Sequence, residues 1–265
     1  MRVTFCTSTF GDVVAPGEDP RWDPAACQKV HDALKANHLR HSFAESLVAL
    51  DAITRAQKVD AIGSGRIVSS SEAIGPQAII LSVGAQWKLE PMHPLFEERL
   101  QRARELGMRA LRGPVFIGVR LPMPDMGADF YHPDASVQEI TARGDKANHV
   151  DAELAKRGIG RARAIRLGCE FSTRDGATGE WWPQGLGRAR NKTEKRKARE
   201  AINEWADGEA IAAHIAYGND LFCTQDEAKS AGSQSVFSSD HRKWLAKEFG
   251  ILFVTVAELA ERLPS

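Results

Sequence analysis

With 265 residues, 43% hydrophobic and 26% charged, the chain has material for one large domain, or for one domain carrying an insertion. Lys+Arg and Asp+Glu both number 35, so net charge names no partner and only local clustering can. No stretch approaches the roughly 20 apolar residues that span a bilayer, and the N-terminus lacks a signal-peptide pattern.

Cys6, Cys27, Cys169 and Cys223 form no C-x-x-C pair, which points to neither a zinc knuckle nor a disulfide framework. A cytoplasmic protein with free thiols and no membrane contact is the expectation.

Residues 2–6 read as a short buried strand, followed by a polar, proline-bearing loop, "GDVVAPGEDPRWDP". Apolar residues at helical spacing predict a helix from about Ala25 to Ala36. A second strand falls around His38 to Phe43, and a helix begins near Glu45 with Leu47, Val48, Leu50 and Ile53 as its stripe. From about residue 63 the pattern changes. "QAIILSVGAQWKL" and "PVFIGVRLP" read as strands separated by the helix "HPLFEERLQRARELGMRALR". "DKANHVDAELAKRG" reads as a helix and "EFSTRDGATGEWWPQG" as a Gly- and Trp-rich loop, before the basic run "RARNKTEKRKAR".

Beyond it, "EAIAAHIAYGND" is a small-residue helix that stops at Gly218, and "LFCT" is a buried strand. "HRKWLAKEFG" is a helix closed by Gly250, "ILFVT" a last strand and "VAELAERL" a final helix. Strand–helix alternation at both ends argues for α/β class, with a parallel sheet covered on both faces. No flexible linker flanks the middle. Residues 1–265 are therefore read as a single domain, its core from about 1–62 and 200–265 and a large α+β elaboration at 63–199.

Acidic residues stand where strand ends should converge: Glu45 and Asp51, Asp207 and Glu209 in "WADGEAIAAH", and Asp226 in "FCTQDEAK". Ligands of open parallel sheets collect at the C-terminal ends of the strands. Carboxylates gathered there repel one another unless a cation is bound, and Mg²⁺ or Mn²⁺ prefers such oxygen donors. Taken singly, each acid reads first as a helix cap or a turn former.

The ordered set resembles a known family. "DGEAIAAHIAYGNDLFCTQD" followed by "WLAKEFGILFVTVAELA" is similar to the C-terminal half of a PIN domain. That metal-dependent ribonuclease fold occurs in the toxins of bacterial toxin–antitoxin pairs and in RNA-processing enzymes. "VTFCTSTF" resembles the family's opening strand, which ends in Asp-Thr-Ser or Asp-Thr-Asn, and "AESLVALDAI" the helix with its second acid. The resemblance covers roughly residues 1–60 and 200–262. It implies a PIN-like three-layer fold with a central parallel sheet flanked by helices. It further implies a Mg²⁺- or Mn²⁺-dependent endoribonuclease acting on single-stranded RNA, and leaves room for an antitoxin-like protein partner and a homodimer.

On this resemblance Asp207 corresponds to the third acid, Asp226 to the fourth, and either Glu45 or Asp51 to the second. Glu45 and Asp51 lie about 600° apart around a helix, so only one is expected to reach the metal. Asp207, Asp226 and Glu45 form the expected metal set, with Glu209 an auxiliary and Thr7 and Ser8 lining it. Arg188, Arg190, Lys192, Lys195 and Arg196, just upstream of Asp207, either grip phosphates or form the solvated face of a charged helix. Trp181 and Trp182 either stack exposed bases or, the preferred reading, plug a loop onto the core.

Cys6 stands where the family has its first acid. A thiol is soft and mostly protonated at neutral pH, so it is a poor Mg²⁺ ligand. Three origins stay open: a weakened descendant, an introduced cysteine, or compensation by Asp12, Glu209 or a second carboxylate from Glu45 and Asp51. The alternative function keeps the fold and drops the chemistry: a catalytically inactive PIN-like module that binds nucleic acid or protein.

Overall fold

Strand β1 (Arg2–Phe5) passes at Cys6 directly into helix α1 (Thr7–Val14), where a loop was predicted. Phe10, Val13 and Val14 recur at helical spacing and are buried, and the first proline lies beyond them at Pro16. The computed structural model describes residues 1–18, 22–54, 56–75, 78–88, 92–114, 126–133, 136–177, 179–228 and 232–264. Helix α2 (Pro24–Lys35) opens with proline at its first position, and the Asp23 side chain accepts the Ala25 N–H. Strand β2 (Arg40–Ala44) delivers Glu45 at its end, and one π-helical turn, Leu47–Asp51, takes the place of the expected helix.

In the elaboration, α3 (Lys58–Gly63) leads to a hairpin of β3 (Arg66–Gly75) and β4 (Ala78–Gln86). Helix α4 (Pro94–Glu105) ends at Gly107, which adopts φ 76°, and β5 (Arg109–Leu111) follows. These three strand residues lie within the stretch predicted as helix. The predicted strand "PVFIGVRLP" falls almost wholly outside the described residues.

Helices α5 (Val137–Lys156), α6 (Arg161–Arg174) and α7 (Trp182–Gly187) come next. The last two replace much of the predicted Gly- and Trp-rich loop. Its last glycine is a crossing point: a β-carbon on Gly185 would meet the Gly168 carbonyl oxygen at 2.0 Å. Helix α8 (Lys192–Tyr217) is continuous and takes in Lys192–Arg199 of the basic run as its first two turns. Strand β6 (Leu221–Cys223), α9 (Ser239–Phe249), β7 (Leu252–Val254) and α10 (Val256–Glu261) complete the chain as predicted.

The main sheet is parallel, in the order β5-β2-β1-β6-β7, and β3–β4 pair antiparallel in a separate sheet. Thus a strand from the middle of the chain forms one edge of the sheet built by the two ends. The two-residue period of a strand sorts the side chains. Val3, Phe5, Phe43, Ala110, Cys223 and Val254 face α1, α2, α4 and α10. Cys6, Ala44, Leu111 and Phe222 face α5, α8 and α9.

Each fully buried phenylalanine, such as Phe43, contributes roughly 2–3 kcal/mol. A third apolar cluster joins α3, α6, α7 and the first half of α8 through Ile62, Phe171, Trp182, Leu186 and Trp205. The small residues of α8 have a packing cause, because Gly208 lies against Gly160, where a β-carbon would stand 3.0 Å from the Gly160 Cα. No described helix is long and apolar enough to cross a membrane.

Candidate active site at the carboxyl ends of the sheet

From β1 the chain moves to β2 on one side, whereas β6 and β7 extend the sheet on the other. The connections leaving β1 and β6 therefore diverge, which opens a crevice at their carboxyl ends, where ligands of such sheets bind. Cys6, Ser8, Thr224 and Gln225 knit this point together. The Cys6 N–H donates to the Cys223 carbonyl at 3.1 Å, and Ser8 Oγ accepts the Gln225 N–H at 3.0 Å. Cys6 Sγ lies 2.9 Å from Ser8 Oγ, which is 3.4 Å from Thr224 Oγ1.

Cys6 is only 5% exposed. Burial pushes its thiol up, Ser8 and Thr224 oppose this by hydrogen bonding, and the charge of half-buried Asp207 adds to the rise. The thiol is therefore neutral at physiological pH. Cys223 lies on the neighbouring strand but turns to the opposite face of the sheet, and both cysteines are free. Thr7 is exposed in the first turn of α1.

Asp226 follows β6 and acts on its own loop. Its Oδ1 accepts the Ala228 N–H at 2.7 Å, and its own N–H donates to Thr224 Oγ1 at 3.1 Å. This holds Ala228 at φ 57°, an Asx-type turn. The Arg242 guanidinium donates to the Asp226 carbonyl and, at 3.0 Å, to that of Phe237. Burial lowers the Arg242 pKa and the Asp226 charge opposes the fall.

Glu45 and Glu209 are brought near each other. Both are buried, 4% and 6% exposed. Glu45 Oε1 accepts the Gly113 N–H at 2.7 Å, and Glu209 Oε1 accepts the Trp205 indole N–H at 2.6 Å. At Gly113 a β-carbon would stand 3.1 Å from Glu209 Oε2 and 3.5 Å from Glu45 Oε1, so the two carboxyl groups meet over that glycine. The Glu209 carboxyl is pushed well above the carboxylate range, first by burial and then by the Glu45 charge. Asp151 adds to the rise, while the Trp205 bond and Arg161 oppose it. Asp151 and Arg161 themselves form a nearly buried ion pair between α5 and α6.

The side chain of Asp51, the other candidate for second acid, lies outside the described part of the structure. Among the described residues no group of three or more His, Cys, Asp or Glu is placed to hold a metal ion. Two clefts, of 710 and 450 Å³, lie away from this crevice. One is lined by His31, Lys35, Asn37 and Arg102, the other by Asp60, Ser64, Gln184 and Arg188.

The basic run is not beside the acids. Lys192 precedes Asp207 by 15 residues of one helix, about 22 Å at 1.5 Å per residue. Several of its charges are paired: Arg188 with Glu180 at 2.7 Å, Arg190 with Asp175 at 2.6 Å, and Arg196 with Glu200 at 3.0 Å. Lys195 stands 3.8 Å from Asp60. Trp182 is buried and meets Trp205 edge-on at 5.1 Å, and half-buried Trp181 packs tilted against Trp87 at 5.1 Å. They seat α7 on the core.

Sequence reasoning placed Glu45 and Glu209 among the candidates but missed Gly113 and Trp205. The indole had a signal, since "WADGE" sets Trp205 and Glu209 four apart on one helix face. Gly113 had none, because its contact spans 68 residues of sequence. No family model, curated protein or solved structure matches the chain.

Proposed function

We propose that this chain is a PIN-like, metal-dependent endoribonuclease that hydrolyses phosphodiester bonds of single-stranded RNA and is weakened by Cys6. The observation that carries the reading is the buried Glu45–Glu209 pair at the carboxyl ends of β2 and β5. Mg²⁺ is commonly held through one or two carboxylates, with water and substrate phosphate supplying the rest. A pair of hard oxygen donors fits that mode of binding Mg²⁺ or Mn²⁺, and Glu45 and Glu209 would be the holders. When bound, such an ion polarises a phosphate and lowers the pKa of water.

The chain's own groups do the positioning. The Gly113 N–H and the Trp205 indole N–H each fix one oxygen of the pair. Asp207, whose charge reaches Cys6, adds negative potential at the crevice, and Ser8 holds the β1 and β6 connections together. The neutral thiol of Cys6 supplies no charge where the resemblance calls for a carboxylate.

That same neutrality, with Asp226 Oδ1 engaged by the Ala228 N–H, favours a second reading: an inactive module that binds RNA without cutting it. Incubation of end-labelled single-stranded RNA with the protein and Mn²⁺ separates the two. The nuclease reading expects slow cleavage that Glu45→Gln abolishes and Cys6→Asp accelerates. Intact RNA with both wild type and Cys6→Asp would leave only the binding module.

A further inference from the structure

Arg242 is a cation that the fold withdraws from water without giving it an anion. It stands in the first turn of α9 and is half-buried. Its guanidinium carbon lies 5.0 Å from the centroid of the Phe253 ring and 5.7 Å from that of Phe237. Nε and Nη2 donate to the Phe237 and Asp226 carbonyls, both neutral acceptors. Among the described residues no carboxylate pairs with the guanidinium, although charges taken out of water are normally paired. Nη1 has no acceptor either, and it is not among the buried side-chain atoms that lack a partner, so it opens to solvent.

Asp226 joins this cation to the crevice at the carboxyl ends of β1 and β6. Its carbonyl accepts from Arg242, and its N–H donates to Thr224 Oγ1 at 3.1 Å. The adjacent Gln225 is fixed by its backbone N–H on Ser8 Oγ at 3.0 Å, and its half-buried side-chain amide is likewise unpartnered and open to solvent. Cys6 faces the same side of the sheet as α9 and lies within electrostatic reach of Arg242.

We propose that Arg242 and the Gln225 amide form a subsite for an internal phosphate of single-stranded RNA, one that needs no metal ion. The assignment deepens the nuclease reading, since it takes RNA as the ligand of the crevice. Guanidinium N–H groups match phosphate oxygens in geometry and charge. The two carbonyls hold Arg242 in place before any ligand arrives, so little side-chain ordering is left to binding. Asp226, Glu227 and Glu258 act on Arg242 without pairing with it, and Asp226 turns its carboxylate to the Ala228 N–H. A carboxylate at position 6 would add to that negative charge. The neutral thiol of Cys6 does not, so the same substitution that disfavours a cation here favours a phosphate.

The test is binding of fluorescein-labelled oligo(U) to the full chain in EDTA, followed by anisotropy over a salt series, with thermal melting of each variant alongside. With no divalent ion present, the readout does not depend on whether the protein cleaves RNA. Arg242→Gln is expected to bind about tenfold more weakly. Its log–log salt slope is expected to flatten by about 0.7, the value for one lost single-strand phosphate contact. Gln225→Ala is expected to weaken binding with salt slope and melting temperature unchanged, because an amide neutralises no phosphate charge. Cys6→Asp is expected to weaken binding in EDTA as well, by setting a carboxylate within reach of the same phosphate. An Arg242 that only clamps its loop would lower the melting temperature of Arg242→Gln and leave the salt slope as in wild type, and that result overturns the proposal. So does a wild type that binds no oligo(U), or wild-type affinity in both Arg242→Gln and Gln225→Ala. The expected losses in these variants, with no cleavage by the wild type in Mn²⁺, would contradict the nuclease reading and leave the subsite standing.

Discussion

Glu209 Oε2 and Glu45 Oε1 face each other across Gly113, each within 3.5 Å of where a side chain there would begin. The glycine gives space here and not backbone freedom, since it is not among the residues with positive φ. Gly113→Ala would set a β-carbon 3.1 Å from Glu209 Oε2, so that carboxyl must give by a few tenths of an ångström, whereas Glu45 Oε1 at 3.5 Å stays in ordinary contact. The expected cost is about 1–3 kcal/mol in urea unfolding, with loss of any Mn²⁺-dependent cleavage. A variant as stable and as active as wild type would mean the two carboxyl groups do not meet there.

Trp205 is expected to act on Glu209 through one hydrogen bond. Trp205→Phe keeps a ring against Trp182 but leaves a buried carboxyl oxygen without its donor, which costs about 1–3 kcal/mol. In a double-mutant cycle with Glu209→Gln, the two losses should sum to more than the loss in the double variant. Strict additivity would show that the bond contributes nothing.

Two buried groups away from the carboxylate pair set opposing pH dependences. Glu204 Oε1 accepts the Val236 N–H at 2.5 Å, and burial pushes its carboxyl up from 4.5 to about 7. The stability tied to Glu204 is therefore complete below about pH 4.5 and is lost as pH rises through about 7. His214 is hydrogen-bonded to Thr4 Oγ1 at 2.9 Å, and burial holds its imidazole down from 6.5 to about 3. Its contribution is complete above about pH 6.5 and is lost as pH falls through about 3.

Between pH 4.5 and 6.5 these two slopes oppose each other, and the raised Glu209 adds to the Glu204 side. Unfolding by urea across this window should show wild-type stability falling as pH rises. Glu204→Gln flattens that fall and His214→Gln steepens it, by up to about 1.4 kcal/mol per pH unit. The reverse order of slopes would contradict the burial of these groups.

The four thiols should differ sharply in reactivity. Cys6, Cys27 and Cys223 are buried, and burial raises all three, whereas Cys169 is exposed on α6. A maleimide at neutral pH should label Cys169 rapidly and the other three only after unfolding. Fast labelling of Cys6 in the native protein would contradict its burial as a neutral thiol.

The alternation of strands and helices at the two ends was legible because it lies in local periodicity. "LFCT", "HRKWLAKEFG" and "ILFVT" correspond closely to β6, α9 and β7. The middle was harder. Arg109, Ala110 and Leu111 carry on the helical pattern of α4, and only pairing with β2 makes them a strand. Gly185 reads as a loop residue, yet it stands where α7 crosses α6 against Gly168. Of the site, the carboxylates were visible as residue types near strand ends. Their pairing was not, since Glu45 and Glu209 stand 164 positions apart and meet only through the folded sheet.

The central claim is that Glu45 and Glu209 together take a divalent cation. Calorimetric titration of the full chain with Mn²⁺ tests this without reference to RNA. A single saturable site is predicted for the wild type, with binding weakened at least about tenfold in Glu45→Gln and in Glu209→Gln. No measurable Mn²⁺ binding, or binding that both substitutions leave unchanged, would contradict it.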